Sequence, residues 1–326
     1  MSLRIGVLAN PFDPVRSSQL ELCFDAIRDG SADRILLVMN GNPSVSGVSL
    51  DNRWKMLVAA CAGNKKLIPY RLPVKKESAG TEKILKHLQK KHPEDRLFLL
   101  SSESAGLQSS LPPAVEEYCS LSGLYGFPCR IEKAGIWISD LFTDLTPHRF
   151  AHSLSVAYSS VKLALRFGIN IEKAEIAGLL HDCAKCLPLA EMQETAVCSG
   201  VTNDLSILGS SALLHSLVGA RIAHTRYGID DQEILDAIAF HNTGHAGMSR
   251  LAMCVCLADF IEPNRESFPL LEEVRCLSEK SLEQALLLSL KGVADHVCSK
   301  GQVLHPRTMN AISWLESLPT SAYLRT

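Results

Sequence analysis

Near residue 142 the chain changes grammar. From residue 3 to about 135, short apolar runs alternate with amphipathic stretches; beyond it strand signals nearly vanish and helical periodicity takes over. Strands separated by helices imply a parallel sheet covered on its faces, whereas a chain without strands must pack helix on helix. At 326 residues the sequence is long enough for two domains. The expected fold class is therefore an N-terminal α/β Rossmann-like domain over 1–140 and an all-α helical bundle over 143–326.

In the first half RIGVLAN, RILLVMN, KLIPYRLP and RLFLLSS read as strands, with SSQLELCFDAIRDG, SLDNRWKMLVAACAG, TEKILKHLQKKH and PPAVEEYCSLSG as the helices between and after them. Ligands of such sheets bind at the carboxyl ends of the strands, here just after VLAN and VMN. In the second half Thr146 and Pro147 suit an N-cap and first helical position, opening a helix that ends at Gly168. Further helices are expected over 171–185, over 211–227, from a capping box at Asp230 and Glu233 to about His241, and over 249–261 before Pro263. Helical segments continue to Trp314.

Composition narrows the partners. Net charge is −2 with no Lys/Arg-rich run, which gives no electrostatic footing for a nucleic acid polymer. The apolar run LAMCVCLADFI (251–261) is too short to span a bilayer and carries Asp259, so no membrane partner is expected. MSLRIGVLAN lacks a signal-peptide pattern, and eleven scattered cysteines suit reduced thiols, so the expected location is cytoplasmic. Cys183 and Cys186 form one CxxC with no second pair to complete a zinc site, and read as coincidence; Cys254 and Cys256 read as helix packing.

The chemistry is concentrated around AGLLHDCAKCLP (177–188), where His181 and Asp182 end an apolar run. An unpaired carboxylate there would be costly, so something must neutralise Asp182. Seven of the eleven histidines lie between His148 and His245, which points to a metal. His152 shares a helical face with Val156 and Leu163, His215 with Gly219 and Ile222, His241 with Ile234 and Ile238, and Asp259 with Ala252 and Val255. Singly, each histidine reads as a satisfied core residue and Asp259 as the partner of a buried arginine. Together, four inward histidines and two inward carboxylates cannot satisfy one another in an apolar bundle, and divalent metal ions would. Adjacent residues diverge by about 100° on a helix, so His181 and Asp182 are expected in its last turn, with Asp182 able to bridge two ions.

The order His152…His181-Asp182…Asp259 resembles the HD superfamily of metal-dependent phosphohydrolases. HRFAH (148–152), AGLLHDCAK (177–185), LLHSLVGA (213–220), DAIAFHNTGHAGM (236–248) and LADFIEPNR (257–265) are similar, in order, to its YqeK-type branch, the symmetrical diadenosine tetraphosphate hydrolases of bacteria. The likeness runs from about 143 to the end and includes LHPRTMNAISWL. It implies two metal ions, of which iron is the first choice and manganese, cobalt, nickel or zinc are acceptable to the same donors. His152, His181, Asp182 and Asp259 would hold one, and Asp182, His215 and His241 the other. It also implies a hydroxide for in-line attack in the middle of a polyphosphate, releasing two ADP. Lys185, Arg149 and Arg265 would clamp the phosphates, the bland alternative for each being an ordinary ion pair, and His245 is a candidate to support a metal ligand from behind or to contact phosphate. His148 and His224 read as structural or exposed. A dinucleoside polyphosphate or other nucleotide is thus the implied substrate, and a homodimer is left open.

GVLANPFDPVRSSQL (6–20) is similar to the start of the nicotinate-nucleotide adenylyltransferases, which carry a Gly-Gly-Thr-Phe-Asp-Pro turn and a His-x-x-His pair. Phe12, Asp13 and Pro14 remain, but Ala9 and Asn10 replace the glycines, and Arg16 and Gln19 the histidines. Asn10-Pro11 also removes a backbone N–H where phosphate would approach, and GIWISDLFTDL (135–145) fits the family's later phosphate motif poorly. This resemblance implies a nucleotidyltransferase-like domain that has lost its catalysis. Two alternatives stay open: adenylyl transfer with Arg16 in place of a histidine, and a non-catalytic nucleotide sensor.

Overall fold

Four runs of branched apolar residues become strands β1 (Arg4–Asn10), β2 (Arg34–Met39), β3 (Leu67–Arg71) and β4 (Arg96–Leu99) of a parallel sheet in the order β3-β2-β1-β4. Between and after them run α1 (Ser17–Arg28), α2 (Leu50–Cys61), α3 (Thr81–Lys91) and α4 (Pro113–Ser122). Val7 of β1 registers with Leu36 of β2 and Leu99 of β4. Val7 and Val38 pack with Ile84 and Leu88 of α3, so the helix buries its one apolar stripe on the sheet. The computed structural model describes residues 2–41, 46–73, 80–100 and 109–319; the last two residues of the expected strand RLFLLSS lie outside them.

The chain divides into two compact units, Met1–Cys129 and Arg130–Thr326. The sequence reading puts the change at 140–143. It falls earlier because α5 (Ala134–Asp144) is held in the second unit: Trp137 meets Tyr227 edge-on at 6.2 Å, and Arg226 bonds Asp144 at 2.5 Å. The helices that follow are α6 (Pro147–Phe167), α7 (Ile171–Leu180), α8 (Leu189–Cys198), α9 (Leu205–Leu208), α10 (Ser211–Thr225), α11 (Gln232–Phe240), α12 (Arg250–Ile261), α13 (Pro269–Ser278), α14 (Leu282–Ser299) and α15 (Pro306–Ser317). Among the described residues this unit has no strand, and none of the described helices is long and apolar enough to cross a membrane.

Local chemistry sets the boundaries. Thr146 caps α6 by accepting the Arg149 N–H at 3.3 Å, Pro147 takes its first position, and Gly168 ends it at φ 64°. The helix expected over 171–185 stops at Leu180: Cys183 N–H bonds Leu180 and Lys185 N–H bonds Asp182, tightening 181–186 into turns. Asp231, rather than Asp230, caps α11, because its Oδ1 reaches the N–H groups of Glu233 and Ile234 at 2.9 and 3.3 Å. Asp230 pairs instead with His224. The sequence reading gives no helix for α8, whose short apolar face buries only Met192 and Ala196.

Helices α6 and α7 pack closely at Gly178. A methyl group on Gly178 would sit 2.7 Å from Ser160 Oγ and 2.9 Å from Ala157 Cα. Hydrogen at this position therefore lets the two backbones approach, and it brings His152 of α6 toward His181.

Candidate metal centre

Five helices deliver four imidazoles and two carboxylates to one interior spot. His152 comes from the middle of α6, His181 and Asp182 follow α7, His215 lies on α10, His241 follows α11, and Asp259 is in the last turn of α12. The histidines and Asp182 are buried, and Asp259 is partly open to an adjoining cavity. His152 Nε2 and His181 Nε2 are 3.2 Å apart, and His215 Nε2 and His241 Nε2 are also 3.2 Å apart. Asp182 lies among them, with Oδ1 3.1 Å from His215 Nε2 and Oδ2 3.8 Å from His152 Nε2. Asp259 Oδ1 is 3.1 Å from His152 Nε2.

The tautomers explain why this arrangement wants cations. Three of the rings commit Nδ1–H to the helix backbone: His181 to Gly178 O at 2.8 Å, His241 to Ile238 O at 2.8 Å, and His215 to Ser211 O at 3.1 Å. Their Nε2 atoms are then lone pairs, aimed inward at one another and at carboxylate oxygens. Asp182 Oδ1 is buried with no hydrogen-bond donor directed at it. Lone pairs in mutual contact repel, and a buried carboxylate oxygen without a donor is costly, so the donor set fits divalent metal. The atoms group as His152/His181/Asp182, His181/His241/Asp259 and Asp182/His215/His241, each group within 4.8 Å. The last group is the sequence-level second set; Asp259 faces His152 and also lies near His181 and His241.

Electrostatics set two of the imidazoles apart. Burial, then the neighbouring His181 and His215, push the His241 imidazole down to about 3, so it stays neutral as a ligand must. For His152 burial works in the same direction, but hydrogen bonds to Asp259 and Glu262 outweigh it and raise the imidazole to about 9. Burial would raise the Asp182 and Asp259 carboxyls, yet the surrounding histidines hold both well below the usual range.

The cationic side chains fall into place unevenly. Arg149 donates from one terminal nitrogen to Asp182 Oδ2 at 2.8 Å, and Lys185 Nζ lies 3.8 Å from Asp182 Oδ1 and 3.1 Å from His215 Nε2. Arg265 donates to the Asp259 carbonyl at 2.8 Å and covers the Phe260 ring at 5.7 Å. All three line a cavity of about 600 Å3 that opens beside Asp182, His241 and Asp259. His245 is not brought there: Gly244 at φ 62° turns the chain away, and the ring lies against Phe240 at 4.4 Å with Nδ1 donating to Ala246 O. Cys183 and Cys186 are free thiols, one buried and one exposed.

Glu262 is the residue sequence reasoning missed. It is buried one position past α12, accepts the Asn264 N–H at 2.7 Å, and lies 3.5 Å from His152 Nδ1. It thus stands behind His152 where backbone carbonyls stand behind the other three rings. The available signal is its spacing, three residues after Asp259 and just before Pro263.

In the first unit the turn after β1 has a different character. Asp13 accepts from Tyr125 Oη at 2.6 Å and Ser46 Oγ at 2.7 Å. Arg16 donates its guanidinium to Ser109 O at 3.2 Å and its N–H to Gln19 Oε1 at 2.9 Å. Both residues that replace the expected histidine pair are thus engaged in local structure.

A helical bundle bearing His…His-Asp…Asp in this disposition defines an HD-type protein, and residues 149–264 match the HD domain family. The symmetrical bis(5'-nucleosyl)-tetraphosphatase of Bacillus subtilis is 39% identical over 53% of this chain and 92% of its own length. By that likeness the chain belongs to the HD-domain family of symmetrical bis(5'-nucleosyl)-tetraphosphatases. A probable nicotinate-nucleotide adenylyltransferase/Ap4A hydrolase of Mycoplasma genitalium is 32% identical over 57% of this chain and 51% of its own. A crystal structure from Clostridium acetobutylicum, titled an HD superfamily hydrolase involved in NAD metabolism, superposes with a TM-score of 0.55 at 39% identity, covering 56% of this chain and 96% of that one.

Proposed function

We propose that the helical unit is a divalent-metal-dependent phosphohydrolase that cleaves diadenosine tetraphosphate symmetrically to two ADP. The observation that carries it is the set of inward imidazole lone pairs around Asp182, opening on a cavity edged by Arg149, Lys185 and Arg265. His152, His181, Asp182 and Asp259 would hold one ion, and Asp182, His215 and His241 the second, with iron the first choice for this donor set. Bound there, such ions supply Lewis-acid polarisation of phosphate oxygens and a nucleophile at neutral pH. Asp182 orients the pair of sites, while Arg149 and Lys185 bring positive charge to the polyphosphate, where charge-assisted hydrogen bonds favour the transition state. Burial pushes the Lys185 ammonium down, with Asp182 partly opposing.

The first unit is read as a nucleotidyltransferase-like Rossmann domain without its own catalysis, supported by the engagement of Arg16 and Gln19 in local structure. The bacterial relatives support a cytoplasmic bacterial enzyme. Metal-loaded protein given diadenosine tetraphosphate should release ADP as the sole nucleotide, and AMP plus ATP would overturn symmetrical cleavage. Incubated with ATP and nicotinate mononucleotide, it should form neither dinucleotide nor pyrophosphate; their appearance would restore adenylyl transfer to the first unit.

A further inference from the structure

The cavity beside the metal centre has two unlike ends. One is ionic, with Asp182, Asp259, Arg149 and Lys185. The other, between α12, α13 and α14, is lined chiefly by Phe260, Phe268, Leu270, Leu290 and Val293, with Ser289 and His296 of α14 as its polar groups. Phe268, at the N-cap of α13, is 40% exposed. Phe260 meets it edge-on, ring centroids 6.2 Å apart at 78°. Arg265 sits at the junction, bonded to Asp259 on one side and stacked over Phe260 on the other.

A cavity that is ionic at one end and aromatic at the other matches a ligand with phosphates at one end and a flat heteroaromatic ring at the other. We propose that the lobe formed by Phe260, Phe268, Leu270, Leu290 and Val293 binds the nucleobase of one half of the substrate, with Phe268 as the stacking platform. This rests on the nucleotide-phosphohydrolase reading above and assigns the residues that make the site prefer nucleotides over inorganic polyphosphate. A base stacks on an aromatic face whatever its edge, so the lobe selects for a base more strongly than among bases. Gly292 of α14 shapes its wall: a methyl group there would lie 2.1 Å from Leu270 Cδ2, so this lining side chain must shift.

The test is equilibrium binding of ADP and of pyrophosphate to the full-length, metal-loaded protein. Wild type should hold ADP more tightly than pyrophosphate. Phe268→Ala should weaken ADP roughly 5- to 150-fold, the range for losing one base–aromatic stack, and leave pyrophosphate unchanged. Phe268→Trp should restore ADP affinity, and Gly292→Ala should weaken ADP alone. Phe268 is surface-accessible, so its loss leaves the fold intact, which the unchanged pyrophosphate affinity verifies. Equal affinity of wild type for ADP and pyrophosphate, or equal losses for both ligands in Phe268→Ala, would overturn the base lobe while leaving the phosphohydrolase reading standing. Failure of wild type to bind either ligand would overturn both.

Discussion

Replacing Gly178 by alanine isolates the contact on which the metal centre's geometry depends. The added Cβ would lie 2.7 Å from Ser160 Oγ, 2.9 Å from Ala157 Cα and 3.2 Å from Ala157 N. Ser160 can rotate, but the Ala157 atoms are backbone and cannot. Carbon–carbon contact is comfortable at about 3.5–4.0 Å, so α6 and α7 must part by about 0.6–1.1 Å. Overpacking of this kind costs about 1–3 kcal/mol, offset by about 1 kcal/mol for alanine's better helix propensity. The net loss is about 0–2 kcal/mol, which for a domain of this size lowers Tm by up to about 8 °C. Parting the helices also separates His152 from His181 by more than a metal site tolerates, since ligand distances are fixed to about 0.2 Å. Thermal unfolding in chelator and metal retention against graded chelator measure the two effects separately. Gly135→Ala in α5 is the control: nothing lies within 4 Å of its added methyl, so the same substitution should stabilise by about 0.5–1 kcal/mol. A Gly178→Ala protein as stable as wild type with undiminished metal retention would refute the reasoning.

Other expectations follow from single contacts. Glu175, fully buried on α7, takes two bonds from Arg130 at 2.7 and 2.5 Å, so Arg130→Ala leaves a buried charge without this partner and should cost about 3–5 kcal/mol in denaturant unfolding; a loss below about 1 kcal/mol would show that Glu175 is satisfied otherwise. Glu262→Ala should weaken metal retention about 10–100-fold through loss of the group behind His152, with Glu262→Gln recovering part of it, as read by competition with a chelating dye; unchanged retention would remove Glu262 from the site. Of the eleven cysteines, Cys129, Cys186, Cys198, Cys276 and Cys298 are exposed and should react with a thiol reagent in the native state, whereas buried Cys23, Cys119, Cys183, Cys254 and Cys256, each pushed up to about 12 by burial, should react only on unfolding. Mass-spectrometric mapping of labelled peptides decides this.

The elements that carry their own signal were legible in the sequence. Thr146-Pro147 and Gly168 bracket α6 as capping chemistry requires, and helical spacing alone turns His152, His215, His241 and Asp259 inward. What stayed hidden depends on partners distant in the chain. The end of α7 at Leu180 is set by tight turns through His181 to Cys186, which a run of apolar residues does not announce. The assignment of α5 to the helical unit rests on Trp137 meeting Tyr227, a contact across most of the unit's first half. Glu262 reads as a surface acid until folding sets it behind His152. His245 shows the converse, since a histidine four residues after His241 suggests a shared face that Gly244 prevents. The resemblance to a known family supplied an expectation that periodicity could not, a polyphosphate substrate.

Everything chemical here depends on cations sitting among side chains whose free electron pairs otherwise oppose one another. Elemental analysis of protein purified without added metal, paired with anomalous scattering from its crystals, addresses that directly. The expected result is two transition-metal ions per chain, with Asp182 touching both; stoichiometric absence of metal after growth in ample iron and manganese, or peaks away from the four imidazoles, would contradict it.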